Sequence, residues 1–397
     1  MAGTSEGKFS RRTGWKLTPN RLTEALLEVR AGREILDLTL SNPTRAGIRY
    51  DAGSILKSLA DPAVLDYDPQ PKGLRYARDA VAQYYSCGAD TLVREVDPEY
   101  LVLTTSTSEG YSYIFRLLAN PGDEMLVPKP SYPLFDFLAG LHDVKLKPYP
   151  LIFDHGWQID LHALERAISK RTHAVIVVHP NNPTGSYVTD VERGALNVFC
   201  REHKLALIVD EVFLDYAHDG TPRSTFANNQ DVLTFTLSGL SKIAGLPQMK
   251  LGWIAVSGPE EEVSAAMQRL EVIADTYLSL NAPVQLAAAT LLEQRKKIQP
   301  QVTHRVRANL AELDRQLSQQ QVCARLAIEG GWYAVLRVPV TQSDEDLAVT
   351  ILRDACVLVH PGHFYDFPAD GFLVLSLITQ PQEFCEGVRR ILKFLGS

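Results

Sequence analysis

Leu233-Thr234-Phe235-Thr236-Leu237-Ser238-Gly239-Leu240-Ser241-Lys242 starts apolar and ends on small residues and a lysine. Its first five residues are β-branched, aromatic or leucine, and they read as a strand buried in a sheet. The lysine then stands in a loop that continues Gly245-Leu246-Pro247-Gln248-Met249-Lys250-Leu251-Gly252-Trp253. A lysine after a strand is ordinarily just solvated. Where burial and neighbouring cations lower its pKa it becomes an imine-forming amine.

The same pattern recurs upstream. Residues 100–104, 124–127, 174–179 and 206–210 are short apolar runs separated by helical patterns at 109–118, 161–169 and 191–203. That alternation predicts an α/β fold with a mostly parallel sheet covered by helices. A further run, 253–256, ends in Ser257-Gly258-Pro259 and is expected at the sheet's edge. In such sheets ligands gather where strands end. Run 100–104 leads into Thr105-Ser106-Thr107-Ser108-Glu109-Gly110, which is either a plain helix cap or an anion site. Run 174–179 leads into Pro180-Asn181-Asn182-Pro183-Thr184-Gly185, an ordinary turn or a rigid one that orients the Asn182 amide. Run 206–210 ends on Asp210-Glu211, a carboxylate pair that is costly to bury without a cation.

From Pro283 the character changes. Residues 285–294 and a heptad-like stretch to about 319 read as two helices, and short strands at 332–338 and 373–377 precede a last helix at 381–395. The first fifty residues carry one amphipathic helix and a short strand at 35–40, too little for a core of their own. The expected division is a large domain of residues 51–284 and a small α+β domain built from residues 1–50 and 285–397.

Composition narrows the function. Forty Lys+Arg against 47 Asp+Glu give a net charge of −7, which offers no basic footprint for nucleic acid. Apolar runs are strand-sized, so no membrane span is expected. Arg11-Arg12 lacks the apolar region an export signal needs, and the start Thr4-Ser5-Glu6-Gly7 is polar. Five scattered cysteines, Cys87, Cys200, Cys323, Cys356 and Cys385, form no CxxC pair, which points to a reducing cytoplasm and no metal. His360 and His363 flank Pro361-Gly362 and read as a turn rather than as metal ligands.

Together these segments resemble fold-type I pyridoxal-phosphate enzymes, in particular the class I/II aminotransferases, over almost the whole chain. The resemblance rests on Asn182-Pro183-Thr184-Gly185, Asp210-Glu211-Val212-Phe213, and Ser241-Lys242 with Lys250-Leu251-Gly252-Trp253, at intervals of 28 and 32 residues from Asn182 to Asp210 to Lys242. Tyr67 with Gly73 and Arg75, Pro121-Gly122-Asp123-Glu124, Pro130-Ser131-Tyr132-Pro133 and Pro361-Gly362 agree with it. It implies a seven-stranded-type sheet and a pyridoxal 5'-phosphate cofactor held by Lys242 as a Schiff base. It further implies Asp210 on the pyridine nitrogen, Asn182 on the phenolic oxygen and Tyr132 on the ring face. Thr107, Ser108, Ser241 and Lys250 would hold the phosphate, and Tyr67 would reach the phosphate of a partner subunit in a homodimer. The implied activity is ping-pong transfer between an amino donor and a keto acceptor, with a lyase or decarboxylase on the same fold as alternative. A non-catalytic binding protein is a further alternative.

Three positions depart from the family. Lys250 stands where relatives have Arg, which keeps the charge without the bidentate fork. Phe213 replaces Tyr and removes a hydrogen bond to the phenolic oxygen. Val374, in Leu373-Val374-Leu375-Ser376-Leu377, occupies the place of the arginine that clamps the substrate's α-carboxylate. Arg45 or Arg337 could substitute, the substrate could be an amine without that carboxylate, or the strand could be registered differently.

Overall fold

Residues 8–86 and 95–396 are described by the computed structural model of the chain. Cys87 and the polar start at 4–7 lie outside them. The strands in chain order are β1 (Leu36–Asp37), β2 (Leu101–Thr104), β3 (Glu124–Lys129), β4 (Lys145–Phe153), β5 (Trp157–Ile159), β6 (Thr172–Val178) and β7 (Ala206–Asp210). They continue with β8 (Thr234–Gly239), β9 (Gly252–Ser257), β10 (Ala324–Arg325), β11 (Tyr333–Arg337), β12 (Val357–Leu358), β13 (His360–Pro361) and β14 (Phe372–Ser376).

The apolar runs become one eight-stranded sheet in the order β2-β9-β8-β7-β6-β3-β4-β5. Strands β4, β3, β6, β7 and β8 pair in parallel, whereas β9 runs against both β8 and β2, and β5 folds back on β4. All residues of β2, β7, β8 and β9 are buried, as expected for strands covered on both faces. The eighth strand is the three-residue β5, one beyond the seven the family likeness implies. The expectation for 253–256 needs correction: β9 is interior, because β2 pairs along its outer side from Leu101↔Ala255 to Thr104↔Gly252. Ser257-Gly258-Pro259 marks where the strand stops, not which side of it is bare.

A four-stranded antiparallel sheet, β10-β11-β14-β13, stands beside the large one, and β1 pairs in parallel with β12. The helix expected at 381–395 spans Pro381–Leu395. The stretch from 285 to 319 holds two short helices, Ala282–Leu286 and Ala288–Glu293, before the long one, Arg295–Leu317. Asn309 on that long helix is fully buried, and its amide donates to the carbonyls of Leu377 (2.9 Å) and Thr379 (2.7 Å) just past β14. Asn309→Leu takes this donor from the Leu377 carbonyl and leaves the Thr379 carbonyl only a longer bond from Arg305 (3.5 Å), so urea unfolding should show a loss of about 1–3 kcal/mol. An unchanged midpoint would remove this contact as the tie between helix and sheet.

Candidate functional site

Strands β2, β3, β6, β7 and β8 all end on the same side of the large sheet. The register decides what meets there. Thr104 pairs with Gly252, and Gly252 pairs with Gly239. The segments that carry Thr107 and Ser108, Lys250, and Ser241 therefore leave the sheet side by side. Thr107 and Ser108 are the first two residues of helix Thr107–Leu118, where backbone N–H groups have no carbonyl to bond within the helix. Lys250 is exposed, adopts the left-handed conformation at φ 54°, and makes no ion pair among the described residues.

Lys242 lies in the single helical turn Leu240–Ile243 that follows β8. Bonds from outside fix this turn: the Leu240 N–H donates to the Leu251 carbonyl (2.9 Å), the Tyr216 hydroxyl to the Lys242 carbonyl (2.7 Å), the Gln299 amide to the Ile243 carbonyl (2.9 Å), and the Tyr50 hydroxyl to the Gly245 carbonyl (2.7 Å). The amine itself is held over the rings of Trp332 and Phe213, with centroids 5.2 and 5.6 Å from Nζ. Asp210 closes β7. Its Oδ2 accepts from the buried Tyr111 hydroxyl (3.3 Å) and its Oδ1 from the Val212 N–H (3.1 Å). Burial pulls Lys242 down to about 8, opposed by the charge of Asp210. Burial likewise pushes Asp210 up to about 6, held back by its two hydrogen bonds and by Lys242. Asp210 is buried and Lys242 partly so, and each favours the other's ionised form. Glu211 points elsewhere and ties down the Thr225 hydroxyl and the Phe226 N–H, both at 2.6 Å.

The turn after β6 is built around Asn181. Its Nδ2 donates to the Pro130 carbonyl (3.0 Å) and to Thr184 Oγ1 (2.9 Å), and its Oδ1 accepts from Ser131 Oγ (3.3 Å). Asn181 therefore joins the Asn182 turn to the loop that carries Tyr132. Gly185 pins the other end, because at φ 70° a Cβ there would stand 2.4 Å from the Gly330 carbonyl oxygen. Asn182 is buried between these anchors, and its Oδ1 has no protein partner. Such an orphan is costly unless a ligand satisfies it. The Tyr132 ring is half-buried and packs edge-on to Phe135 at 5.9 Å, and burial with the nearby Asp210 pushes its phenol up to about 12.

The remaining candidates separate. Tyr67 is 79% exposed, on a concave surface shared with Leu278 and Asn281. Arg45 ends the short turn Pro43–Arg45, exposed, and its side chain makes no hydrogen bond or ion pair among the described residues. Arg337 lies at the opposite end of β11 from Tyr333, in a surface groove with Asp314 and Arg325, so the fold does not bring it to Lys242. Val374 is 1% exposed in an apolar cluster, paired with Val335 on one side and His360 on the other. Sequence reading passed over Tyr111 and Tyr216 and took Trp332 for a core or interface residue; it is fully buried and also lies under the Lys242 amine. Tyr111 alone left a signal, four residues after Thr107 and so on the same helix face.

Removing the negative charge beside Lys242 should lower its pKa further. Asp210→Asn is therefore expected to shift the pH midpoint of Lys242 acylation, followed by mass spectrometry in the protein without added small molecules, below about 8. A midpoint that stays or rises would mean that the two groups do not sense each other.

The family model described as aminotransferase class I and II matches residues 54–384. Alanine aminotransferase of Mycobacterium tuberculosis is 28% identical over 92% of this chain and 86% of its own length. Glutamate-pyruvate aminotransferase AlaA of Escherichia coli K12 is 30% identical over 71% of this chain and 69% of its own. Among solved structures, the alanine aminotransferase from Pyrococcus furiosus superposes with a TM-score of 0.86 at 21% identity, covering 98% of this chain and all of that one. Matched across most of its length by the family model, and lying on the same fold, the chain belongs to the class I and II aminotransferases.

Proposed function

We propose that this aminotransferase binds pyridoxal 5'-phosphate at the edge where β2, β6, β7 and β8 end, and moves an amino group from an amino acid to a keto acid. The observation that carries the reading is the Lys242–Asp210 pair at the ends of β8 and β7, an amine brought down to about 8 beside a buried carboxylate. The donor set fits the group. Asn182 offers an amide to a ring oxygen, Asp210 a carboxylate to a ring nitrogen, and Tyr132 an aromatic face. Thr107, Ser108, Ser241 and Lys250 offer N–H groups, hydroxyls and one cation to a phosphate.

When bound, the cofactor supplies an aldehyde that condenses with amines and a protonated ring that takes up the electrons of a broken Cα–H bond. The chain's own residues then have separate tasks. Asp210, kept acidic by Tyr111 and the Val212 N–H, holds the proton on the ring nitrogen. Lys242, brought to about 8 by burial, would be a base near neutrality, able to take up the proton of the substrate's Cα and hold it for return. The bonds from Tyr216 and Tyr50 keep its backbone still while the side chain swings. Arg45, exposed and with no ion pair among the described residues, would be a cation open to a substrate's carboxylate.

The rest of the reading is of one piece with this. Residues 51–284 would form the cofactor domain, with residues 1–50 and 285–397 the small one, and the parallel pairing of β1 with β12 supports that division. The exposed Tyr67 beside Leu65, 87% exposed, supports a homodimer in which Tyr67 reaches the partner's phosphate. We place the protein in the cytoplasm on the four unpaired cysteines among the described residues. Among those residues no helix is long and apolar enough to cross a membrane.

Adding pyridoxal 5'-phosphate to the protein should produce a visible absorbance band that Lys242→Ala abolishes. Alanine and glutamate, named by the relatives, are the first donors to try. A donor supplied alone should yield pyridoxamine phosphate stoichiometrically, and Lys242→Ala should slow this by at least about 10²–10⁴-fold. Release of ammonia or carbon dioxide without pyridoxamine phosphate would replace transfer by elimination or decarboxylation. Absence of the band would remove the cofactor from the reading.

A further inference from the structure

The position that would carry a carboxylate-binding arginine is Val374, and the sheet around it offers a different donor. Antiparallel pairing puts Val374 opposite His360 of β13 and Val335 of β11, and Ser376 opposite Tyr333. Directly paired residues and those two apart share a face, so His360, Val374, Ser376 and Tyr333 all project from one side of the small sheet.

That side looks toward Lys242. The Tyr333 ring is 6.3 Å from the Phe213 ring, over which Lys242 Nζ lies. The Tyr333 phenol is close enough to those of Tyr132 and Tyr365 to sense their charge, and it bonds the Ser41 hydroxyl. Tyr365 is tied to the loop before Tyr132, its carbonyl accepting from the Ser131 N–H at 2.9 Å. Tyr333, Tyr365 and His360 thus form a chain of neighbours that runs from the Phe213 ring beside Lys242 to the strand position of Val374.

Among these neighbours His360 has one committed nitrogen and one free. Nδ1 is 3.0 Å from the Tyr365 hydroxyl. Nε2 has no hydrogen bond among the described residues, and it is not among the buried atoms left without a partner, so it opens onto accessible space. If the Tyr365 O–H donates to Nδ1, the ring proton must sit on Nε2. We propose that His360, oriented by Tyr365, takes the place of the family arginine: its Nε2–H donates to the α-carboxylate of an amino-acid substrate, and Tyr365 is the positioning residue that fixes the tautomer. Burial keeps the imidazole below its ordinary pKa, in keeping with a neutral N–H donor. The proposal rests on the transamination reading above and names the substrate class, an α-amino acid rather than a simple amine.

The test compares L-alanine with ethylamine, and other L-amino acids with their decarboxylated amines, as donors converting the pyridoxal form of the holoenzyme to pyridoxamine phosphate. The wild type should prefer the acid. His360→Ala should cut that preference by about 10- to 100-fold, the range for losing a hydrogen bond to a charged group, mostly through KM and with the visible absorbance unchanged. His360→Gln, whose Nε2 reaches a similar point, should recover part of it. Tyr365→Phe should lose part, and it serves where the alanine variant fails to fold. A wild type that takes the amine as readily as the acid, or variants that keep the wild-type ratio, would overturn this assignment alone. No conversion by any donor would overturn the transamination reading and this inference with it.

Discussion

Everything at the candidate site depends on two opposite charges sharing a space with little water. Asp210 and Lys242 are each moved toward neutrality by burial, and each is held partly ionised by the other. Alone, either would lose its charge or force water inward. Together they leave an amine near its titration point and a carboxylate still able to hold a cationic ring nitrogen. The surrounding aromatic residues preserve this balance by keeping solvent out. Trp332 and Phe213 lie under the amine, and Tyr111 satisfies one oxygen of the acid.

That balance requires rigid backbone, and the sheet provides it. Asp210 is the last residue of a fully buried strand, and Lys242 is three residues beyond the end of the next one, with Asp210 paired to Leu237. The distance between the charges is therefore set by the ladder itself rather than by a loop. Asn181 extends the same stiffness sideways, because a single satisfied amide locks the Asn182 turn to the Tyr132 loop. Preorganisation of this kind is what a site needs if its geometry is to survive the arrival of substrate.

Much of this was legible in the residues. The runs that became β2, β3, β6 and β7 are apolar on both faces, β8 alternates Phe235 and Leu237 with buried Thr234 and Thr236, and all lead into polar residues, so strand and site announced each other. What could not be read was anything decided by distant partners. Strand β4 hid because Lys145, Lys147, Pro148 and Pro150 give it a polar, broken pattern, yet it pairs with β3 throughout. The interior place of β9 depends on β2, about 150 residues earlier, and no local feature encodes it. His360 read as a turn beside Pro361-Gly362, whereas pairing with Val374 and Leu373 makes it a strand residue. Arg337 attracted attention by charge alone, and its strand carries it away from Lys242.

The pairing of β1 with β12 has a consequence for how such a chain is made. The Asp37 N–H bonds Glu383, 346 positions away, and the Ser376 hydroxyl bonds the Leu40 carbonyl, 336 positions away. During synthesis residues 36–40 leave the ribosome long before the partners they bond, which lie 336 to 346 positions later. At ordinary elongation speeds that is a wait of roughly 20–70 s. Through that interval the apolar residues Leu22, Ala25, Val29 and Leu38 have no core to enter. Residues 36–40 are thus placed late, and until their partners arrive the apolar side chains around them stay exposed.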